Sequence, residues 1–154
     1  MEIHPAPQDR EGRAAWMRTL ALAPPDELDR LFGGLSGLPE ARMLREPQTG
    51  MTMLRARGGG TGAQFNLGEM TITRCAVALP QGVMGLAYVQ GRHARHARQA
   101  AMLDALMQLP QWRQRLREEV LDPLERAGRE RRARRAAEAA ATKVEFFTLA
   151  RGED

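Results

Sequence analysis

The apolar positions near the start of the chain recur at helical intervals. Trp16, Met17, Leu20 and Ala23 form one stripe, and Asp9 can cap the helix that carries it. Two prolines, Pro24 and Pro25, end this helix, and a second short helix follows up to the glycine pair at 33–34. Its predicted buried residues are Leu28, Leu31 and Phe32. The pattern therefore predicts two N-terminal helices that each bury one face.

The middle of the chain changes from helical to alternating periodicity. Apolar and polar residues alternate in 40–47 and in 51–57. The segment between these runs, 47–50 (PQTG), is typical of a hairpin turn. Residues 69–79 and 83–90 alternate again, and 80–82 (PQG) is a turn signal. We expect an antiparallel sheet of about four strands.

Helical periodicity returns in the last third of the chain. The pattern over 92–109 predicts a helix that directs its alanines and leucines to the sheet. The pattern over 111–127 predicts another amphipathic helix. The residues on its apolar side are Trp112, Leu116, Val120, Leu121 and Leu124. Beyond Gly128 the sequence is rich in Arg and Ala. The fold class is α+β. We divide the chain into a loose N-terminal arm (1–8), an α+β domain (9–127) and a helical arm with a terminal tail (128–154).

The tail contains a strand-like apolar run. Its large apolar residues are Val144, Phe146, Phe147 and Leu149. A helix over the 14 or so preceding residues would span about 21 Å, so the run is expected to dock away from the nearest core helix. We interpret these four residues as partner-binding, through addition to the edge of a sheet in this chain or another, and expect their removal to abolish assembly and leave the rest folded.

Composition narrows the class of protein. The chain has 154 residues, 43% of them hydrophobic and 27% charged, as in an ordinary globular domain. It contains neither a long apolar stretch nor a secretory signal, so we expect a cytoplasmic protein without a membrane span. The single cysteine, Cys75, excludes internal disulfides and cysteine-based metal clusters. The formal net charge is +4, and Lys143 is the single lysine among 23 basic residues.

A glycine cluster at 58–62 is the first candidate for chemistry. Free backbone N–H groups in such a loop can form an anion-binding nest, and Arg55 and Arg57 precede it. It matches neither a Walker A loop nor a dinucleotide fingerprint, because a strand follows it. The alternative is a purely structural loop, whose glycines let it cross closely against another chain. The candidate anion-binding residues across the chain are Arg55, Arg57, Gly59, Gly60, Arg74 and Arg92.

Two histidines and several acids are further candidates for chemistry. His93 and His96 share one side of a predicted helix, where they could bind a metal, contact an anion or partner, or form a solvated polar face. Cys75 follows Arg74 in a strand, and since the two point to opposite faces we expect a buried, inert thiol. Asp104 is expected on the exposed shoulder of its helix, and the other acids in surface ion pairs. We assign no catalytic and no metal-binding residue.

The run 126–135 contains six arginines and one glutamate. Such a run can bind nucleic acid, but it lacks aromatic residues that would stack on bases. An acidic surface on a partner protein is the favoured interpretation. An Arg-rich nucleic-acid-binding or general protein-interaction module stays the alternative function.

The order and spacing of several short motifs resemble the PhnG family, a subunit of the bacterial carbon–phosphorus lyase system. These motifs are 57–62 (RGGGTG), Phe65, Gly68, 71–74 (TITR), Val77, Leu79, Gly85, 89–92 (VQGR), 104–107 (DALM), 144–148 (VEFFT) and 151–152 (RG). The resemblance covers nearly the whole chain, and this chain departs from it in an N-terminal extension and one additional glycine in the loop.

The resemblance implies a role in organic phosphonate catabolism. The complex would form α-D-ribose 1-phosphonate 5-triphosphate from ATP and an alkylphosphonate, with PhnI as the nucleosidase and this chain mainly as a scaffold. Implied partners are PhnI, PhnJ, PhnH and a second copy of the chain, with PhnK and PhnL in the wider system. No cofactor is expected in this chain, since the iron–sulfur cluster and S-adenosylmethionine belong to PhnJ. The family supplies no catalytic residue to carry over.

Overall fold

A computed structural model describes residues 7–142, with the side chains described from residue 11 onward. The helices and strands follow one another as α1 (Pro7–Leu22), α2 (Pro25–Gly33), β1 (Arg42–Arg57), β2 (Gln64–Ala78), β3 (Met84–Gln90), α3 (Ala94–Met107), α4 (Pro110–Leu116), a π-helical turn (Arg117–Leu121) and α5 (Asp122–Ala141). The class is α+β, as predicted from the sequence. The first helix begins two residues before its predicted cap, Asp9.

The sheet has three strands in the order β1-β2-β3, all antiparallel. The prediction of four strands was wrong because 47–50 is not a turn: β1 runs through it as one strand with bulges between Met43 and Gln48. Pro47 is tolerated since β1 is an edge strand, where an N–H need not be donated. The glycine cluster 58–62 makes the connection to β2 instead. The second predicted turn, at 80–82, is confirmed, with Gly82 at φ +81°.

The core lies on one face of the sheet, where α3 packs against β2 and β3 and is flanked by α1, α2 and the α4–α5 segment. The predicted stripes of the N-terminal helices are confirmed, since Trp16, Leu20 and Leu28 are buried. The predicted face after Pro110 is also confirmed, with Leu116, Val120, Leu121 and Leu124 in the core. Gly85 allows the closest approach of strand to helix, because a Cβ there would lie 1.9 Å from the carbonyl oxygen of Ala101.

The last helix does not end at Gly128 but continues to Ala141. Pro123 has no N–H to donate to the preceding turn, and the wide π-helical turn lies immediately before it. None of the helices in the described part of the chain has the length and hydrophobicity needed to cross a membrane.

Candidate functional site

The glycine loop forms the tip of a long hairpin. Residues 58–60 make a single 3-10 turn in which Gly59 (φ +59°) and Gly60 (φ +82°) are left-handed, a conformation that favours glycine. The Gly62 N–H donates to the Gly58 carbonyl at 2.8 Å, and a Cβ at Gly62 would lie 2.6 Å from that oxygen. Glycines at these positions are therefore required for the loop to close on itself.

The two arginines before the loop are exposed and lie at different heights on the hairpin. Arg57 donates from Nη1 to the Gly62 carbonyl at 3.2 Å, so its side chain is held against the loop. Arg55 lies opposite Asn66 and lines a shallow recess with Gln64 and Phe65. The tip therefore presents two guanidinium groups beside a rigid turn.

The other two candidate arginines lie at the base of the hairpin. Arg74 is exposed in β2 between Gln48 and Tyr88, and Arg92 follows the end of β3. Arg74 lies ten residues along β2 from Gln64, the strand partner of Arg57, which is about 33 Å at the rise of a strand. The six predicted residues thus form one group at the tip and another at the base, and their part in anion binding stays a prediction.

The start of α3 is held by a side chain from the sheet. Thr73 Oγ1 donates to the Gly91 carbonyl at 2.6 Å and accepts the His93 N–H at 3.1 Å. The left-handed Gly91 (φ +83°) also donates its N–H to Thr71. The backbone N–H groups on either side of Arg92, those of Gly91 and His93, are therefore already bonded within the chain.

The two histidines occupy different environments. His93 is exposed, whereas His96 is buried and its Nε2 donates to the Leu20 carbonyl at 2.7 Å. Of the three interpretations open for the two histidines, a solvated polar face is wrong for His96, because most residues of α3 from His96 to Met107 are buried. No cluster of three or more metal-ligating side chains is found within the described residues.

Burial of His96 predicts a pH-dependent stability. Burial lowers the pKa of His96 below its ordinary value, and its Nδ1 has no partner among the described groups. The unfolded chain therefore takes up a proton at a higher pH than the folded chain, and stability falls as the pH drops through the unfolded-state pKa. We expect this loss, at most about 1.4 kcal/mol per pH unit, in urea titrations at pH 7.5 and 5.5. In His96→Asn the difference between the two pH values should shrink, and an undiminished difference would assign it to another group.

Sequence reasoning missed the most connected polar residue of the core. Asp104 is fully buried, contrary to the exposed position expected from the sequence. Its Oδ1 accepts hydrogen bonds from Trp16 Nε1 (2.9 Å) and Arg13 Nε (3.1 Å), and its Oδ2 accepts from Arg13 Nη2 (2.7 Å) and the Leu86 N–H (2.9 Å). This carboxylate joins α1 and β3 to α3. A sequence signal existed, since Asp104 stands among alanines, leucines and methionines on all sides.

The single cysteine behaves as expected from the sequence. Cys75 is buried while its neighbour Arg74 is exposed, and burial raises the pKa of the Cys75 thiol. A protonated buried thiol is a poor nucleophile.

Two comparisons with known proteins bear on this arrangement. The sequence profile of the family described as Phosphonate metabolism protein PhnG matches residues 11–152. A curated relative from Rhizobium meliloti (strain 1021) is 41% identical over 150 residues, which is 96% of this chain and 91% of the relative. The chain belongs to the PhnG family. That relative is named alpha-D-ribose 1-methylphosphonate 5-triphosphate synthase subunit PhnG.

Several motif residues that carried the resemblance to PhnG have structural roles in this chain. Gly85 permits the contact between β3 and α3, and Asp104 joins three elements through hydrogen bonds. Thr73 and Gly91 fix the start of α3. These PhnG motifs thus hold the fold together, whereas the glycine motif lies at an exposed tip.

The exposed tip belongs to residues 51–71 of the hairpin. From here on we call this segment the arm; it is distinct from the N-terminal arm (1–8) and the helical arm (128–154) named from the sequence. Beyond Ile72 the hairpin has no third strand, because β3 pairs only with 72–78. The arm nevertheless exposes large apolar side chains, including Met51 (69% exposed) and Leu67 (63% exposed) together with Met53 and Phe65. An isolated two-stranded ribbon is marginally stable in water, so this PhnG arm has the features of a protein-binding element.

The predicted partner-binding residues of the tail lie outside the described residues. Val144, Phe146, Phe147 and Leu149 follow the end of α5 at Ala141. Their role stays a prediction from the sequence.

Proposed function

We propose that this chain is a subunit of an α-D-ribose 1-phosphonate 5-triphosphate synthase in the carbon–phosphorus lyase system for phosphonate catabolism. The observation that carries the proposal is 41% identity to a curated synthase subunit across nearly the full length of both chains. The matched region covers 96% of this chain, so it spans the segments that hold the core network and the arm. ATP and an alkylphosphonate are the substrates of the assembly.

The subunit acts mainly by binding other subunits. The arm supports this role, because its exposed apolar surface is stabilised when another protein covers it. We propose PhnI as the protein that covers the arm, with PhnH, PhnJ and a second copy of the chain in the same complex and PhnK and PhnL in the wider system. The iron–sulfur cluster and S-adenosylmethionine belong to PhnJ in this proposal.

A deletion strain tests the proposed function. In a bacterium that uses this system, loss of the gene should abolish growth on methylphosphonate as the phosphorus source and leave growth on phosphate unchanged. The intact gene should restore growth. Normal growth of the deletion strain on methylphosphonate would refute the proposal.

Substituting one arginine at the tip and one at the base of the hairpin distinguishes a subunit that only scaffolds from one that contributes to a phosphate site. Arg57→Ala and Arg92→Ala remove charge and leave every large apolar side chain of the arm in place, so the assembly should remain intact. Loss of turnover in the intact complex would assign these arginines to a shared anion site, and full turnover would assign the chain to scaffolding alone.

A further inference from the structure

A second positively charged region lies outside the arm, between α1 and α5. The two helices border an open cleft of about 760 Å³, whose walls carry Arg18 from α1 and Arg129, Arg132 and Arg135 from α5. Its floor includes the apolar side chains of Leu22 and Leu124. The volume lies within the usual range for small-molecule sites.

The arginines continue the buried face of α5. Leu124 is buried, and Gly128, Arg132 and Arg135 follow at intervals of four, four and three residues, which places them on the same face of the helix. A Cβ at Gly128 would lie 3.4 Å from Arg132 Nη1, so the missing side chain leaves room for the guanidinium group. Glycine is less favourable than alanine inside a helix, but at position 128 it leaves space beside a cation.

The charges in the cleft are largely uncompensated. Two further charged residues line the cleft: Arg131, which pairs with Glu27 at 2.8 Å, and Glu125, the one carboxylate among the lining residues, which accepts a hydrogen bond from Thr19. Within residues 11–142, no carboxylate lies within salt-bridge distance of the four cleft arginines. Like charges three residues apart on a helix repel one another, so this arrangement favours a bound anion.

We propose that the cleft binds the triphosphate group of a nucleotide or sugar triphosphate. Four guanidinium groups match the three to four negative charges of a triphosphate, and their planar forks suit phosphate oxygens. A compact polyanion can contact the walls on α1 and α5 together, with its organic part on the apolar floor. The proposal rests on the proposed function for the identity of the ligand, since the relative's name contains a 5-triphosphate; the charge and shape of the cleft are independent of it.

Titration calorimetry of the full-length chain with inorganic tripolyphosphate and with ATP tests the cleft. Charge-assisted hydrogen bonds are about twice as strong as neutral ones, so Arg132→Ala/Arg135→Ala should weaken binding at least about tenfold. The matched control is Arg126→Ala/Arg134→Ala, which removes the same charge from exposed positions of the same helix outside the cleft. The control should change affinity less than about twofold, because it leaves every proposed ligand contact in place. Circular dichroism should show both variants folded.

Three calorimetric results would overturn the cleft proposal: no tripolyphosphate binding at millimolar concentration, equal weakening in both variants, or binding of a poly-glutamate peptide in preference to tripolyphosphate. The last result would assign the cleft to an acidic protein surface. Growth on methylphosphonate separates this proposal from the proposed function. If the deletion strain fails to grow but the cleft variant restores growth fully, the synthase role stands and the triphosphate site is refuted.

Discussion

Replacing Asp104 with alanine is expected to lower the free energy of unfolding by about 3–5 kcal/mol, a large fraction of the stability of a domain this size. The substitution leaves the Trp16 indole N–H and the Leu86 N–H without this acceptor, and it leaves the Arg13 guanidinium with only the Met84 carbonyl. The full cost of lost hydration applies to the Trp16 indole, which is buried, while the partly exposed Arg13 keeps some contact with water. Because the three donors come from α1 and β3, their packing on α3 should loosen together.

Urea unfolding of the full chain measures this effect. Glu46→Ala is the matched control, since it removes a carboxylate from an ion pair with Arg98 in which both side chains are exposed. The control should change stability by at most about 1 kcal/mol. Asp104→Asn preserves the shape of the side chain and should fall between the two. A loss below about 1 kcal/mol in Asp104→Ala would mean that the network contributes little beyond its packing.

The helices could be predicted because their burial follows a simple period. Trp16, Leu20 and Leu28 recur at helical spacing and each is buried in the structure. The residues after Pro110 behave in the same way. The apolar pattern therefore determined which face of each of these helices meets the core, and the prolines determined where the first helix ends.

The sheet was harder to predict because proline and glycine, which are typical of turns, can also lie within an edge strand. Pro47 and Gly50 look like a turn, but Gly50 has no left-handed φ and Pro47 lies in an edge strand. The left-handed glycines at 59 and 60 make the turn instead. A periodic pattern alone could not decide between them, since the strand between the two signals is exposed on the arm and has no buried face to reveal its register.

The polar residues of α3 show why the candidate site was only partly predictable. Asp104 was expected on the exposed shoulder of the helix, but it is buried, and so are His96 and Gln99. A helix covered on nearly all sides has no polar face, so its polar residues form internal contacts such as that of Gln99 with Asp29. The positions of Arg55, Arg57 and the loop glycines, in contrast, follow from local sequence and were placed correctly beside one another.

The arm is the element whose alteration should most affect assembly. Substituting Met51, Phe65 and Leu67 with threonine retains strand propensity and removes exposed apolar area. Since all three side chains are largely exposed in the single chain, its unfolding free energy should change by less than about 1 kcal/mol. Affinity-tagged chain co-expressed with PhnI should then recover at least about tenfold less PhnI, because a few large side chains dominate interface energies.

A matched substitution on the other exposed apolar surface isolates the contribution of the arm. Met84→Thr/Tyr88→Thr removes large side chains from β3, and both positions are as exposed as those on the arm. This variant should recover PhnI as the unmodified chain does, since its arm is unchanged. Equal loss in both variants would indicate a general effect of surface hydrophobicity, and full recovery with the arm variant would place the PhnI interface elsewhere on the chain. The triple threonine variant thus tests whether the arm, which cannot bury its own apolar side chains, is completed by another subunit.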